Sequence, residues 1–449
     1  MSALVAQRPR GPKNPPILGQ IPAFRSNPLG FLKRTAAAYG DIAYFRLGPQ
    51  HVFLVNEPEF IRQILVTNQN NFTKSRALQR SKVLLGEGLL TSEGAFHLRQ
   101  RRLAQPAFHR QRLIGYSKVM AEYAVRTRER WRAGETLDIA SEMMRLTLAV
   151  VGKTLFSADV EAEAVEIGEA LTAILHMFDL LMMPFSEYLE KLPLPSVRRF
   201  EKARARLDQT IYGMIGERRA SGEDGGDLLS MLLLSEDEEG TGGMSDQQVR
   251  DEALTLFLAG HETTAQALTW TWYLLSQNPE CERRLHEEVE RVLGDRVPQF
   301  DDLPQLRYTE MVLAEAMRLY PPAWAIGRKA IAPFELGGYT IPERAIIIVS
   351  PYVTQRDARF FPDPERFDPE RWMPERRDAR PKFSYFPFGG GARVCIGERF
   401  AWMEGTLVLA AIAQKWHLRL EPSHRVEPLP LITLRSKYGM KMIAEARSV

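Results

Sequence analysis

The chain has 449 residues, 45% hydrophobic and 26% charged. That composition suits a globular protein with a sizeable core and excludes a fibrous, disordered or disulfide-held one. Lys and Arg (59) against Asp and Glu (56) leave a net charge of only +3, so nothing in the overall balance points to a nucleic-acid partner.

The segment from Met1 to Gln20 sets Arg8, Arg10 and Lys13 among four prolines with no apolar stretch behind them, so no export signal is expected. Short alternating runs at 42–47 and 51–55 predict strands. Apolar residues at helical spacing then predict helices at 57–66, 92–105, 116–132, 141–156, 165–183 and 197–219. The most apolar window, 170–185, is interrupted by His176 and Asp179. No run reaches the ~18 residues of a membrane span, and no membrane anchor is expected. The acidic, glycine-rich stretch 235–243 reads as a surface loop. From Ser245 to Gln277 a proline-free helix opens with the capping pattern Ser245-Asp246-Gln247-Gln248 and would run about 45–50 Å, enough to cross a domain. Another, from about 304 to 320, stops at Pro321-Pro322, because a residue before proline disfavours helix.

Beyond it, 11 of the 29 prolines fall between Pro321 and Pro387, around short strand-like runs such as 345–349. A helix follows at 398–416, then short runs at 417–420, 431–434 and 441–444. The β-rich parts thus lie near 42–66, 323–350 and 417–449. Short strands need partners, so the two ends and the proline-rich middle are expected to share small sheets. The expected fold is mainly α with small β-sheets (α+β), a single domain over 1–449, and a monomer.

The two cysteines, Cys281 and Cys395, cannot form a disulfide framework and point to a reducing, cytoplasmic setting. Cys395 lies in Phe388-Gly389-Gly390-Gly391-Ala392-Arg393-Val394-Cys395-Ile396-Gly397, a glycine-rich loop just before a helix. Unpaired N–H groups and the helix dipole there favour a thiolate. Cys281 follows Asn278-Pro279-Glu280 at a helix start and reads as an ordinary buried cysteine. Mid-way along the long helix, Ala259-Gly260-His261-Glu262-Thr263-Thr264 puts a glycine, a carboxylate and two hydroxyls where helix propensity would not choose them. A zinc-protease reading of His261-Glu262 fails, because position 265 is Ala265 rather than histidine.

The ten residues around Cys395 match the haem-binding signature of the cytochrome P-450 family, Phe-Gly-x-Gly-x-Arg-x-Cys-x-Gly, at every fixed position. The mid-helix segment resembles that family's oxygen-activation motif, Ala/Gly-Gly-x-Asp/Glu-Thr-Thr/Ser. The resemblance implies haem b with its iron held by the Cys395 thiolate, Phe388 packed beneath the haem, Arg393 on a propionate and Gly397 giving the next helix a close approach. It implies that Glu262 and Thr263 relay the protons that drive dioxygen scission, and that Ala259 faces the distal side of the haem. His97 and Arg101 on an upstream helix, and Arg328 on a later strand, fit the family's other propionate partners; many members carry tryptophan at the place of His97. Glu315 and Arg318 match the family's Glu-x-x-Arg, whose third member comes from a Pro-Glu-Arg segment. Of Arg366 and Arg371, Arg371 better matches the family position.

By the same resemblance the chain is a monooxygenase that inserts one oxygen atom of O2 into a lipophilic substrate, by hydroxylation or epoxidation. Leu90, Ala259, Ala323 and Ile432 are expected pocket walls and 174–185 a lid. Fatty acid, terpenoid, steroid-like and drug-like substrates all stay open. No flavin, iron-sulfur or dinucleotide motif is present, so electrons come from NAD(P)H only indirectly, through a ferredoxin or flavodoxin and its reductase. Arg99, Arg102, Arg393, Arg399 and Lys415 are candidates for its docking face. A haem-thiolate peroxygenase or isomerase, or a non-catalytic haem-binding module, would share Cys395.

Overall fold

The computed structural model describes residues 8–158, 194–235 and 243–447. The helix expected at 165–183, the lid stretch 174–185 and the body of the acidic loop, 236–242, lie outside them. The helices used below are α1 (Gly94–Ala104), α2 (Arg110–Arg130), α3 (Ile139–Phe156), α4 (Pro195–Ser221), α5 (Asp246–Gln277), α6 (Pro279–Leu293), α7 (Arg307–Leu319) and α8 (Glu398–Ala413). The strands are β1 (Ile42–Leu47), β2 (Gln50–Val55), β3 (Phe72–Lys74), β4 (Thr136–Asp138), β5 (Ile326–Ala330), β6 (Phe334–Leu336), β7 (Tyr339–Ile341), β8 (Ile346–Val349), β9 (Trp416–Leu420), β10 (Pro428–Pro430), β11 (Leu434–Ser436) and β12 (Lys441–Ala446). This is the expected α+β character.

The described residues fall into two compact units. One comprises those within Met1–Gln79, Arg318–Arg366 and Arg371–Cys395. It is built on a five-stranded sheet of order β1-β2-β8-β5-β3. β1 and β2 form an antiparallel hairpin (Leu47 opposite Gln50), and β2 runs parallel to β8 with Val52 opposite Ile346. Phe53, Val55, Ile347 and Val349 bury one side of it against Ile61, Leu65 and Phe386. The amino-terminal hairpin and the proline-rich middle therefore share a sheet, as expected.

The carboxy-terminal strands do not join that sheet, which corrects the expectation that both ends would. They belong to the second unit, within Arg80–Met317, Phe367–Glu370 and Ile396–Val449. There β12 pairs with β9 on one side and with β4 on the other. β4 is three residues long, too short to leave a periodic signal. The strand expected at 431–434 begins only at Leu434, because a tight turn in which Leu431 N–H donates to the Leu429 and Thr433 carbonyls occupies the residues before it.

α5 organises the second unit. Its capping box is complete: Ser245 Oγ accepts from Gln248 N–H (3.3 Å) and Gln248 Oε1 accepts from Ser245 N–H (2.9 Å). Two orphan amides of the first turn are so satisfied. Val249, Leu254, Leu268, Trp270, Trp272 and Leu275 are all buried along it. Gly260 allows α3 to pack closely, since a Cβ there would stand 2.9 Å from Val151 Cγ2. No helix among the described residues is long and apolar enough to cross a membrane.

Candidate active site

The loop that presents Cys395 is closed by its own backbone. Gly389 N–H donates to Phe386 O (3.0 Å), Val394 N–H to Gly391 O (3.1 Å) and Cys395 N–H to Phe388 O (3.0 Å). Gly389 (φ +75°) and Gly391 (φ +68°) occupy the left-handed region that side chains avoid. At Gly391 a Cβ would also land on the Leu65 carbonyl oxygen. Gln69 Oε1 accepts from Ala392 N–H (2.7 Å) and pins the loop to the chain after Leu65. Cys395 is exposed, and α8 starts three residues later. Phe388, Arg393 and, on β5, Arg328 are half-buried, as is Ala323. Cys281, by contrast, is half-buried on α6 and burial pushes its thiol pKa up, in keeping with its ordinary reading.

Midway along α5 the pattern of burial breaks. Ala259 is exposed and Gly260 and Thr263 half-buried, while His261, Glu262 and Thr264 are buried. Thr263 Oγ1 donates to the Ala259 carbonyl four residues back (2.9 Å), and Thr264 Oγ1 to the Gly260 carbonyl (3.3 Å). Such back-bonding loosens the helix backbone at these turns. His261 is fully buried, its Nδ1 donating to Phe257 O (2.8 Å), and burial keeps it neutral. Glu262 turns to the carboxy-terminal strands. Arg435 Nε (2.6 Å) and Nη2, with Thr433 Oγ1 (2.6 Å), all donate to its carboxylate. Burial alone would raise its pKa, but Arg435 and Thr433 outweigh burial and hold it below the ordinary carboxylate value. Glu262 is therefore an ionised member of a buried pair.

On α1, His97 is buried and Arg101 half-buried. Leu90 and Ile432 are each 38% exposed. Arg318 is fully buried; it donates to the carbonyls of Gln355 (2.8 Å), Pro364 (2.7 Å) and Arg366 (3.0 Å). Glu315 is also fully buried and accepts from Asp368 N–H (3.0 Å). Arg371 is buried and donates to Asp363 O (2.8 Å), whereas Arg366 is exposed. Of the two candidate arginines, Arg371 is the buried one.

The family profile described as Cytochrome P450 matches residues 9–441. The chain belongs to the cytochrome P450 family. This P450 is 43% identical to cyclooctatin synthase of Streptomyces melanosporofaciens, over 96% of this chain and 94% of that one. It is 40% identical to cyclooctat-9-en-7-ol 5-monooxygenase of the same organism (92% and 89% covered) and 37% identical to pentalenene oxygenase of Streptomyces avermitilis (96% of each). It is a haem-thiolate monooxygenase: its cofactor is haem iron, its oxidant is O2, and its electrons come from NAD(P)H through a redox partner.

Two buried polar features of this P450 escaped the sequence reading. Arg435 and Thr433 hold Glu262 from 173 and 171 residues away, a pairing no local pattern could announce. Glu404 could have been noticed: it is the one carboxylate inside the otherwise apolar run of α8, and it is fully buried.

Proposed function

We propose that this P450 oxygenates a terpenoid hydrocarbon or alcohol, with Cys395 as the proximal ligand of its haem, working as one catalytic domain over 1–449. The substrate class rests on the relatives at 37–43% identity, two of which are named for an oxygenation of pentalenene and of cyclooctat-9-en-7-ol. It is supported by the exposed apolar side chains Leu90 and Ile432 and by Ala259 and Ala323, which offer no charge to anchor a fatty-acid carboxylate.

The residues present fit a haem. The observation that carries this is the exposed thiol of Cys395 on a loop whose backbone geometry only glycine satisfies at Gly391. When bound, the haem supplies the activation of O2 and its insertion into a C–H bond or alkene. Cys395 would donate to the iron, with Phe388 beneath the ring and Gly397 letting α8 begin close by. His97, Arg101, Arg328 and Arg393 would hold the propionates by charge and hydrogen bonds. Ala259 would leave room above the ring.

Thr263 then provides the hydroxyl that passes a proton, releasing its bond to the Ala259 carbonyl to do so. Glu262 joins the relay only when its ion pair with Arg435 opens, because an ionised carboxylate has no proton to give. Glu315, Arg318 and Arg371 act structurally, positioning the chain around the Cys395 loop. A ferredoxin or flavodoxin would dock on basic side chains such as Arg102 and Arg399, which are exposed; Lys415 contributes less, since Glu129 takes its charge. We take the protein to be a cytoplasmic monomer.

The test is a substrate-binding difference spectrum with pentalenene, cyclooctat-9-en-7-ol and palmitate, followed by turnover with reductase, ferredoxin and NADPH. Saturable shifts and oxygenated product from a terpenoid are expected. Binding of palmitate alone would overturn the substrate reading. Full turnover on peroxide without any reductase would favour a peroxygenase.

A further inference from the structure

α6 and β9 carry three groups that the oxygenation chemistry does not use. Glu282 and His286, four residues apart, share one face of α6. His417 and Arg419 alternate on β9 with the buried Trp416 and Leu418 and so share its other face. One donor atom from each of Glu282, His286 and His417 lies within 4.8 Å of the other two, and the two imidazole centroids are 4.3 Å apart.

The protonation pattern of this cluster is set by its neighbours. His286 is 5% exposed, and its Nδ1 stands 2.9 Å from the Ala413 carbonyl. A carbonyl can only accept, so Nδ1 carries the hydrogen and Nε2 presents its lone pair to the cluster. That Nε2 has no hydrogen-bond partner among the described residues; Glu282 Oε1, at 3.8 Å, is too far. Glu282 is 2% exposed, and Arg419 occupies its Oε2 (2.6 Å), leaving Oε1 without a partner. His417 Nδ1 is likewise buried and makes no hydrogen bond. Three potential ligand atoms thus converge, with His417 Nδ1 also 3.4 Å from Glu282 Oε2.

We propose that Glu282, His286 and His417 bind a divalent transition-metal ion of the zinc class. Two imidazoles and one carboxylate are the ligands such ions favour, whereas calcium and magnesium demand oxygen. The bond from His286 Nδ1–H to a backbone carbonyl is the outer-shell contact that orients a ligating histidine. The cluster lines a cleft of about 650 Å³, through which an ion enters and a water completes a tetrahedral shell. Two of the cations lining the cleft have partners of their own: Arg283 pairs with Glu280 and Glu287, and Arg447 donates to the Ala413 and Gln414 carbonyls. A bound ion would tie α6 to the strand that closes the β4-β12-β9 sheet.

The experiment uses the full-length, haem-loaded protein, freed of other metals by chelator and dialysed against Zn²⁺, with bound metal counted by mass spectrometry. One equivalent per chain is expected. His417→Ala, the most exposed member, should weaken binding at least tenfold, and His286→Gln likewise. The surface variant His109→Ala should change nothing. Zinc-edge X-ray absorption should show only nitrogen and oxygen neighbours. No stoichiometric binding, equal binding by His417→Ala and His286→Gln, or a sulfur neighbour from a cysteine would each overturn the proposal.

Discussion

Glu404 is fully buried on α8, and neither of its oxygens has a hydrogen-bond partner among the described residues. Thr264 is the polar neighbour that acts on it, but its hydroxyl is directed to the Gly260 carbonyl, so burial dominates and pushes the carboxyl up to about 8 from 4.5. Between those values the folded carboxyl is neutral while the unfolded one is ionised. The folded pKa is the raised one, so the group's contribution to stability is complete below pH 4.5 and is lost as pH climbs through 8. Glu404→Gln keeps the shape and removes the titration. With a linkage slope of about 1.4 kcal/mol per pH unit, the wild type should lose about 2.5 kcal/mol relative to Glu404→Gln between about pH 5 and pH 7. Any fixed packing cost of the glutamine cancels in that comparison. Urea unfolding of both haem-loaded proteins, followed by tryptophan fluorescence with reversibility checked at each pH, measures it. A stability difference that stays flat across the range would refute the reasoning, for it would mean that Glu404 titrates alike folded and unfolded.

Arg435→Met should destabilise the protein by roughly 3–5 kcal/mol by stranding the buried Glu262 carboxylate. Adding Glu262→Gln should recover much of that loss, as thermal unfolding of the single and double variants would show. Gly391→Ala forces a side chain into a left-handed backbone position against the Leu65 carbonyl; purified protein should contain far less haem per chain, read from the haem-to-protein absorbance ratio. Thr263→Ala should lower product formed per NADPH consumed, with turnover falling on the order of 10²-fold, the lower range for a lost proton-transfer group. Product yield equal to wild type would remove Thr263 from the relay.

Where local chemistry determined structure, the sequence could be read directly. Ser245 and Gln248 announced the start of α5, Pro321-Pro322 the end of α7, and the period-two runs at 42–47 and 51–55 a hairpin. The loop at Cys395 was legible because its glycines answer a backbone requirement in place. Pairings between distant segments were not. β4 has too few residues to show a period, and it pairs with β12 some 300 residues later. Glu262 reads in sequence as one half of an acid–alcohol pair on a helix, yet its carboxylate belongs to Arg435, whose position depends on how β11 returns to α5. His286 and His417 carry no shared motif; only the packing of α6 on β9 brings them together.

The central claim is that the sulfur of Cys395 holds the haem iron. The carbon monoxide difference spectrum of the dithionite-reduced protein tests it most directly, compared among wild type, Cys395→Ser and Cys281→Ser. The wild type and Cys281→Ser should show the red-shifted Soret band of a thiolate-ligated haem, and Cys395→Ser should lack it. A wild-type band at the position given by nitrogen ligation, or a thiolate band that survives in Cys395→Ser, would contradict the account.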